Sequence, residues 1–188
     1  MLCRTALFLC LSLVLLQAAR EVRAQESQPT EYQIKAAFLY NFVKFIEWPP
    51  EAFAQKESPF IIGILGDNPF GTDLEKAVHN KTVNDRPLEV KECRSVTEAT
   101  NCHILFISSS EKKPSASEKK RLSEIFAGLR GNSVLTVGET DGFTENGGMI
   151  NFVQESNKIR FRISDDAAKA ARLKISSKLL SLAVRSPH

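Results

Sequence analysis

No apolar run in this chain is long enough to cross a bilayer as a helix. The longest one, from Ala6 to Leu16, has about 11 residues, whereas a spanning helix needs roughly 20. Arg4 precedes this run, and small or short residues follow it at Val22-Arg23-Ala24, which is the layout of a cleaved secretory signal peptide. We therefore predict a signal peptide over residues 1–24 and a mature domain over residues 25–188. A retained membrane anchor is the alternative interpretation.

Cysteine is scarce, and no Cys-x-x-Cys pair is present. Of the four cysteines, Cys3 and Cys10 lie in the predicted signal peptide, which leaves Cys93 and Cys102. An even pair in an exported protein favours a disulfide, and closing so short a loop contributes roughly 2–3 kcal/mol in the chain-entropy model. We predict a structural disulfide between Cys93 and Cys102; a redox switch is the alternative.

Excess positive charge is nearly absent from the predicted mature chain. The full sequence has a formal net charge of +3, but residues 1–24 contain Arg4, Arg20 and Arg23 against Glu21, so that +1 remains without them. Nucleic-acid-binding domains carry clustered positive charge. The composition therefore does not favour a nucleic acid as the partner.

Motifs of common catalytic and cofactor sites are missing as well. The sequence has neither Gly-x-Gly-x-x-Gly nor Gly-x-x-x-x-Gly-Lys for phosphate binding, and it has no Gly-x-Ser-x-Gly elbow. Its histidines lack metal-ligand spacing. The remaining polar clusters are Ser108-Ser109-Ser110, Asp165-Asp166 and Ser176-Ser177-Lys178. We predict a non-enzymatic protein without a cofactor or metal; a hydrolase that uses one of these serines or aspartates is an alternative.

The sequence does contain an alternation of strand and helix patterns. Apolar or alternating segments predict strands at Phe60–Leu65, Pro87–Lys91, His103–Ile107 and Ser133–Val137. Amphipathic stretches predict helices at Ile34–Ile46, Thr72–His79 and Ser117–Leu129, with a capping box at Thr30. This order indicates an α/β fold: a single domain with a mainly parallel sheet flanked by helices.

The end of the chain predicts a β-hairpin followed by a helix. Met149–Gln154 and Lys158–Ile163 read as strands joined by a tight reversal at Glu155-Ser156-Asn157. A helix is then predicted over Asp165–Ala183. The hairpin must add at least one antiparallel strand to the sheet.

Aromatic and positively charged side chains are the candidates for binding. The first helix is rich in aromatic residues and ends after Trp48, before Pro49; these rings are either a core or an exposed partner surface. Cations follow on the last strand and helix: Arg160, Arg162, Arg172, Lys174 and Lys178. They form either a solvated face or a site for an anionic ligand or acidic partner surface.

Four stretches of the sequence resemble the YfiR family in their order and spacing. They are KAAFLYNFVKFIEWP at residues 35–49, CHILFIS at 102–108, GGMINF at 147–152 and KISSKLL at 174–180. The resemblance spans nearly all of the predicted mature chain. It implies a bacterial periplasmic protein with an α/β sandwich that binds and represses the periplasmic part of an inner-membrane diguanylate cyclase, and so controls cyclic di-GMP.

The resemblance also implies site residues and departures from the family pattern. It implies that the Cys93–Cys102 disulfide supports repression. Arg172 stands where the family pattern leads us to expect a small residue, often glycine, and Arg162 and Ser164 replace residues expected to be acidic and asparagine-like. We therefore take Trp48, Arg160, Arg162 and Arg172 as candidate partner- or ligand-binding residues.

The oligomeric state and the function are kept open. The chain could form a homodimer. Its alternative functions are an accessory of a sensor kinase or outer-membrane receptor, and a periplasmic small-molecule-binding protein with a cleft near Asp67, Asn68 and Asp141.

Overall fold

The structure, a computed structural model, describes residues 28–109 and 111–184. The predicted signal peptide at residues 1–24 lies outside these described residues. The helices are α1 (Glu31–Phe45), α2 (Asp73–Val78), α3 (Val96–Ala99), α4 (Ala116–Gly128), α5 (Asp165–Ala170) and α6 (Ser177–Leu182), with a 3-10 turn at Pro50–Ala52. The strands are β1 (Ile46–Glu47), β2 (Phe60–Leu65), β3 (Thr82–Val83), β4 (Arg86–Cys93), β5 (Ile104–Ile107), β6 (Leu135–Gly138), β7 (Ile150–Glu155), β8 (Lys158–Ile163) and β9 (Lys174–Ile175).

A seven-stranded sheet in the order β3-β4-β2-β5-β6-β7-β8 forms the centre of the domain. The strands from β4 to β7 in this order run parallel, whereas β3 and β8 add antiparallel edges. The predicted mainly parallel α/β sheet and its C-terminal hairpin are therefore confirmed. Strands β1 and β9 form a separate antiparallel ribbon, in which Ile46 lies opposite Ile175.

Apolar side chains on both faces of the sheet make a three-layer core. Along β5, Ile104 and Phe106 pack towards α1 and α2, whereas Leu105 and Ile107 pack towards α3 and α4. All four are buried, as expected for a strand covered on both faces. Burying each such side chain contributes about 1.5–3 kcal/mol, so this strand is a large source of stability.

The predicted capping box begins helix α1. The Thr30 hydroxyl accepts a hydrogen bond from the Gln33 amide (3.3 Å), and the Gln33 side chain accepts one from the Thr30 amide (3.0 Å). The helix ends at Phe45, earlier than predicted, because Ile46 and Glu47 adopt an extended conformation to pair with β9.

Tight turns close both antiparallel pairs of the main sheet. Ser156 and Asn157, between β7 and β8, have φ values of 49° and 59°, which fits a two-residue hairpin turn with both central residues left-handed. This confirms the predicted reversal. Asn84 and Asp85 close the β3–β4 pair with φ values of 52° and 62°. Strand β3 was not predicted, because a strand of two residues leaves no periodic pattern.

Phe143 fills the place where a crossover helix would cover the sheet between β6 and β7. The ring is fully buried, packs edge-on against Phe126 at 5.5 Å between ring centroids, and lies directly against Gly138 and Gly148. A Cβ atom on either glycine would overlap the ring. Glycine is therefore required at positions 138 and 148 for the packing of Phe143.

The predicted single helix over Asp165–Ala183 is wrong, because the chain breaks at Arg172. Arg172 is left-handed, with φ at 61°, and the Leu173 amide bonds back to the Ala168 carbonyl (3.0 Å). The Arg172 amide also bonds to Lys169 (2.9 Å). These two bonds make a Schellman end, which normally places glycine at this position. The chain then forms β9 and the separate helix α6.

Within residues 28–109 and 111–184, no helix combines the length and the apolar character needed to cross a membrane.

Candidate functional site

A polar pocket of about 350 Å³ lies at the carboxyl ends of three parallel strands. Ser109 follows β5, Glu139 and Asp141 follow β6, and Gln154 belongs to the end of β7; Lys35 of α1 closes the pocket from above. Ligands of open α/β sheets bind at this side of the sheet. We call this region the carboxyl-edge pocket.

A buried ion cluster occupies the wall of the carboxyl-edge pocket. The Lys35 ammonium, on a residue that is 3% exposed, pairs with the carboxylates of Glu31 and Glu139. The Tyr32 hydroxyl donates a hydrogen bond to the other oxygen of Glu139 (3.2 Å). Each polar group of the cluster therefore has a partner in the chain.

The pKa values of Lys35 and Tyr32 in this cluster are both raised. Burial by itself would lower the pKa of Lys35, but hydrogen bonds from Nζ to Glu139 and Glu31 outweigh burial, and the pKa lies above its usual value. Burial and the Glu139 carboxylate together raise the pKa of Tyr32. Lys35 thus stays protonated and Tyr32 stays neutral at any physiological pH. The ion pairs and the hydrogen bond that join α1 to the end of β6 are therefore present throughout this pH range.

Arg162 is the predicted site residue that reaches the carboxyl-edge pocket. It lies opposite Asn151 in the β7–β8 pair. Its Nε atom is buried and has no hydrogen-bond partner among the described residues. Asn151 is fully buried and donates its amide to the Gly138 and Thr140 carbonyls (3.4 and 3.1 Å). The guanidinium is thus a pocket cation that no described carboxylate neutralises.

A second concave surface, of about 640 Å³, lies at the opposite edge of the sheet. It runs between the β1–β9 ribbon and the start of β4, and its floor consists of Trp48, Phe53 and Phe60. The rings of Trp48 and Phe60 meet edge-on at 5.3 Å between centroids, and those of Phe53 and Phe60 at 5.1 Å. We call this surface the amino-edge groove.

His103 supports the aromatic floor of the groove from below. Its imidazole stacks on Phe53 at 4.5 Å between centroids. Its Nδ1 atom accepts a hydrogen bond from the Ile61 amide (3.0 Å), and its carbonyl accepts one from the Trp48 indole (3.2 Å). Burial, together with the charge of Arg86, lowers the pKa of His103 to about 4. The imidazole is therefore neutral at neutral pH.

Cations surround the groove, and several of them lie over aromatic rings. The Arg86 guanidinium lies 3.8 Å above the centre of the Phe53 ring and donates to the Gln55 and Ser58 carbonyls (3.0 and 2.8 Å). Lys44 lies 4.0 Å above the Tyr40 ring. Such contacts orient a cation without neutralising it.

The four candidate binding residues fall into different regions. Trp48 is in the groove floor, and Arg172 lines a neighbouring cavity of about 450 Å³ at the same edge, where its guanidinium donates to the Gly131 carbonyl (3.0 Å). Arg162 is in the carboxyl-edge pocket, and Arg160 is exposed on β8. The structure thus does not unite them in one site.

Several polar residues considered for catalysis or for a cleft have local structural roles. The Ser176 hydroxyl caps α6, and Asp165 pairs with Lys169 at 2.6 Å. The Asn68 amide group holds its own turn and bonds to Glu92 (2.9 Å). Asp141 lines the carboxyl-edge pocket, whereas Asp67 and Asn68 do not. The described part of the chain shows no group of three or more His, Cys, Asp and Glu side chains that could hold a metal ion.

Cys93 and Cys102 lie side by side in the core as free thiols. Their sulfur atoms are 3.6 Å apart, and both residues are buried. Gly63 makes room for them, because a Cβ atom there would lie 2.5 Å from the Cys102 sulfur. Burial and the neighbouring Cys93 raise the pKa of Cys102 to about 12. Their disulfide stays a prediction.

Sequence reasoning missed two features of these regions. One is the ion cluster, for which the only local signal is Glu31 four positions before Lys35 on a helix. The other is Arg86, which stands alone in a turn-forming segment and gives no pattern at all.

Comparison with known proteins identifies relatives at the level of family and fold. Residues 32–184 match the family described as YfiR/HmsC-like. Among solved structures, the chain is similar to a conserved domain protein from Vibrio cholerae, with a TM-score of 0.50 and 9% sequence identity. The match covers 82% of this chain but 59% of that protein, so the chain spans less than two thirds of its length. No curated protein matches the chain.

Proposed function

The chain belongs to the YfiR/HmsC-like family, and from this premise we propose that it is a periplasmic regulator of a diguanylate cyclase. In this proposal the protein binds the periplasmic part of that inner-membrane enzyme and restrains it. The family match over residues 32–184 is the observation that carries the proposal. The groove at the amino edge, with an aromatic floor and cations around it, supports a binding role.

Deleting the gene tests this proposal. Loss of a restraining protein raises cyclic di-GMP, and the intact gene supplied in trans returns it to the starting level. Mass spectrometry of cell extracts measures the nucleotide under several growth conditions. Cyclic di-GMP that stays unchanged in all of them would contradict the proposal.

Three further parts of the proposal concern the protein itself. Residues 1–24 are a signal peptide removed on export, and Cys93 and Cys102 form a structural disulfide. Intact-mass measurement of the periplasmic protein, with and without reduction and alkylation, tests both. The protein has no enzymatic activity of its own and acts by binding. A homodimer stays a prediction, and light scattering of the purified protein tests it.

Binding of a small polar molecule in the carboxyl-edge pocket is a second candidate function. The buried, unpartnered Nε atom of Arg162 in a cavity of about 350 Å³ favours it. A ligand present at 100 times its dissociation constant adds about 2.7 kcal/mol of stability, so a thermal-shift screen with amino acids and nucleotides detects it. Arg162→Gln should abolish the shift, and Arg160→Gln, on the same strand but outside the pocket, should not.

A further inference from the structure

We infer that the amino-edge groove binds an acidic, extended segment of the partner protein that carries one aromatic or apolar side chain. This inference rests on the proposed function and assigns its binding step to one surface. The groove is lined by three parts of the chain that are distant in sequence: residues 44–60, residues 84–86 at the start of β4, and residues 174–176 at β9. It is therefore a surface of the complete fold.

The charges at this edge of the sheet are unbalanced. The side chains that line the groove and the neighbouring cavity, with Lys178 over Phe45, comprise five cations and two carboxylates: Lys44, Arg86, Arg172, Lys174 and Lys178 against Glu47 and Glu51. Among these described residues, one ion pair forms, between Lys174 and Glu47 at 3.6 Å, with side chains that are 82% and 77% exposed. An exposed pair of this kind neutralises little, so the described surface keeps a positive potential.

Aromatic rings orient three of these five cations. Arg86 lies over Phe53, Lys44 over Tyr40, and Lys178 lies 5.5 Å from the Phe45 ring centre. A ring restricts the position of the side chain but removes none of its charge. The cations are thus oriented in advance for an anionic partner, which lowers the cost of ordering them on binding.

The floor of the groove supplies a place for an apolar side chain. Trp48 is half-buried, so part of its ring remains available to a partner, whereas the Phe53 ring already carries Arg86 and His103 against it. Interfaces place such rings at their centre and charged groups at the rim, and Trp and Arg are frequent among residues that dominate binding. A volume of about 640 Å³ is in the range of about 300–1,000 Å³ found for ligand pockets, which fits a short segment and not a whole domain.

The carboxyl-edge pocket is a weaker candidate for the same segment. Its lining has more carboxylates than cations: Glu31, Glu111, Glu139 and Asp141 against Lys35, Lys112 and Arg162. Arg162 has no ion pair among the described residues, but Lys35 is already paired with two of these carboxylates. An acidic segment would have to displace one of them. The amino-edge groove offers its cations without that competition.

Fluorescent peptides test the chemistry of the segment. The protein, purified after expression of the full chain, is titrated with a short peptide in which glutamates flank one phenylalanine. We expect it to bind, and we expect peptides with glutamates around serine, or lysines around phenylalanine, to bind at least about tenfold more weakly (about 1.4 kcal/mol). Raising the salt concentration from about 0.01 to about 1 M shortens the Debye length from about 30 to about 3 Å and should weaken the first peptide strongly.

Charge-reversal variants locate the binding surface. Lys44→Glu combined with Lys174→Glu should weaken the acidic peptide at least about tenfold, and the milder Lys44→Gln with Lys174→Gln should have an intermediate effect. The matched control is Lys113→Glu with Lys119→Glu, which changes the net charge equally at exposed positions outside the groove. Circular dichroism confirms that each variant is folded.

Three results of the binding experiments would overturn the inference: equal binding of the glutamate and lysine peptides, equal weakening by the groove and control variants, or binding of phosphatidylglycerol-containing vesicles without binding of the acidic peptide. The last result would make the groove a membrane-contact surface. The docking surface can be wrong while the proposed regulatory function is right, and complementation of the gene deletion distinguishes the two. If gene deletion raises cyclic di-GMP but the groove variant restores it as well as the control does, regulation stands and this docking surface is wrong.

Discussion

The two ends of the central sheet use cations in opposite ways. At the carboxyl edge, Lys35 is buried and paired with Glu31 and Glu139 from its own chain. At the amino edge, Lys44 and Arg86 rest on aromatic rings and have no carboxylate partner among the described residues. A cation neutralised within the chain contributes to the fold, whereas one that keeps its charge is available to another molecule. Under the proposed function, the paired cluster at the carboxyl edge is structural and the amino edge is the binding end; Arg162 is the cation at the carboxyl edge that has no ion pair among the described residues.

The largest expected effect is at the structural end. Glu139→Gln leaves the buried Lys35 charge with one partner, and breaking a buried ion pair costs about 3–5 kcal/mol. Urea denaturation at neutral pH measures this loss. Glu31→Gln, at an exposed helix position, should cost less than about 1 kcal/mol. If the two variants are equally stable, the assignment of a structural role to the carboxyl-edge cluster is wrong.

A double variant sharpens the same point. Lys35→Met combined with Glu139→Leu removes both charges, and replacing a buried pair by apolar residues is often neutral. We expect the double variant to recover most of the stability that Glu139→Gln loses. Stability lower than that of Glu139→Gln would mean that the cluster contributes more than mutual neutralisation.

The next effect is a pH dependence at the binding end. His103 has a pKa of about 4 in the folded protein and about 6.5 when unfolded. Between these values the unfolded chain binds the proton and the folded chain does not, so stability falls as the pH drops from about 6.5 to about 4. The difference corresponds to roughly 3 kcal/mol. In His103→Asn, the side-chain oxygen can accept the hydrogen bond from the Ile61 amide in place of Nδ1. This variant should flatten the dependence of stability on pH, measured by urea titrations at several pH values. An unchanged dependence would contradict the assignment to His103.

A smaller and opposite effect is expected at Arg172. This residue has φ at 61°, a conformation that costs a non-glycine residue roughly 1–2 kcal/mol. Arg172→Gly should therefore stabilise the protein by about 1 kcal/mol despite the loss of the exposed bond to Gly131, whereas Arg172→Ala keeps the strain and should not. Thermal unfolding of the two variants measures this difference in stability. A gain in the glycine variant would mean that a cation is kept at the binding end at a cost in stability.

The smallest effect on stability is expected from the groove cations. Lys44→Gln and Lys174→Gln should change the free energy of unfolding by less than about 0.5 kcal/mol, because both side chains are exposed. Chemical denaturation measures the change. A loss comparable to that of Glu139→Gln would remove the distinction between the two ends.

Local patterns predicted the elements whose formation depends on neighbouring residues. The capping box at Thr30, the apolar strand Phe60–Leu65 and the hairpin ending at Ile163 were all predicted, since period and turn residues specify them. The break at Arg172 was not, because arginine gives no signal for a left-handed residue. The resemblance to the family did contain that signal, in the small residue expected at this position.

The binding regions could not be predicted because they depend on long-range contacts. Lys35 and Glu139 are 104 residues apart in sequence. The groove joins Trp48 and Arg86 to Lys174 near the other end of the chain. Trp48 lies on a concave surface, its role in binding stays a prediction, and nothing in the sequence connects it with Arg86. The four candidate residues were predicted as one set, and the structure divides them between the two ends of the sheet.

The pairing of β1 with β9 has a consequence for biosynthesis. Ile46 lies opposite Ile175, so a contact between the first helix and the end of the chain can form only after almost all residues have been made. Such long-range closure is a late and slow step of folding. Lys174 and Ser176 of the amino-edge groove come from that last segment. A nascent or truncated chain therefore has no complete groove, and under the proposed docking mode only the finished molecule can engage a partner.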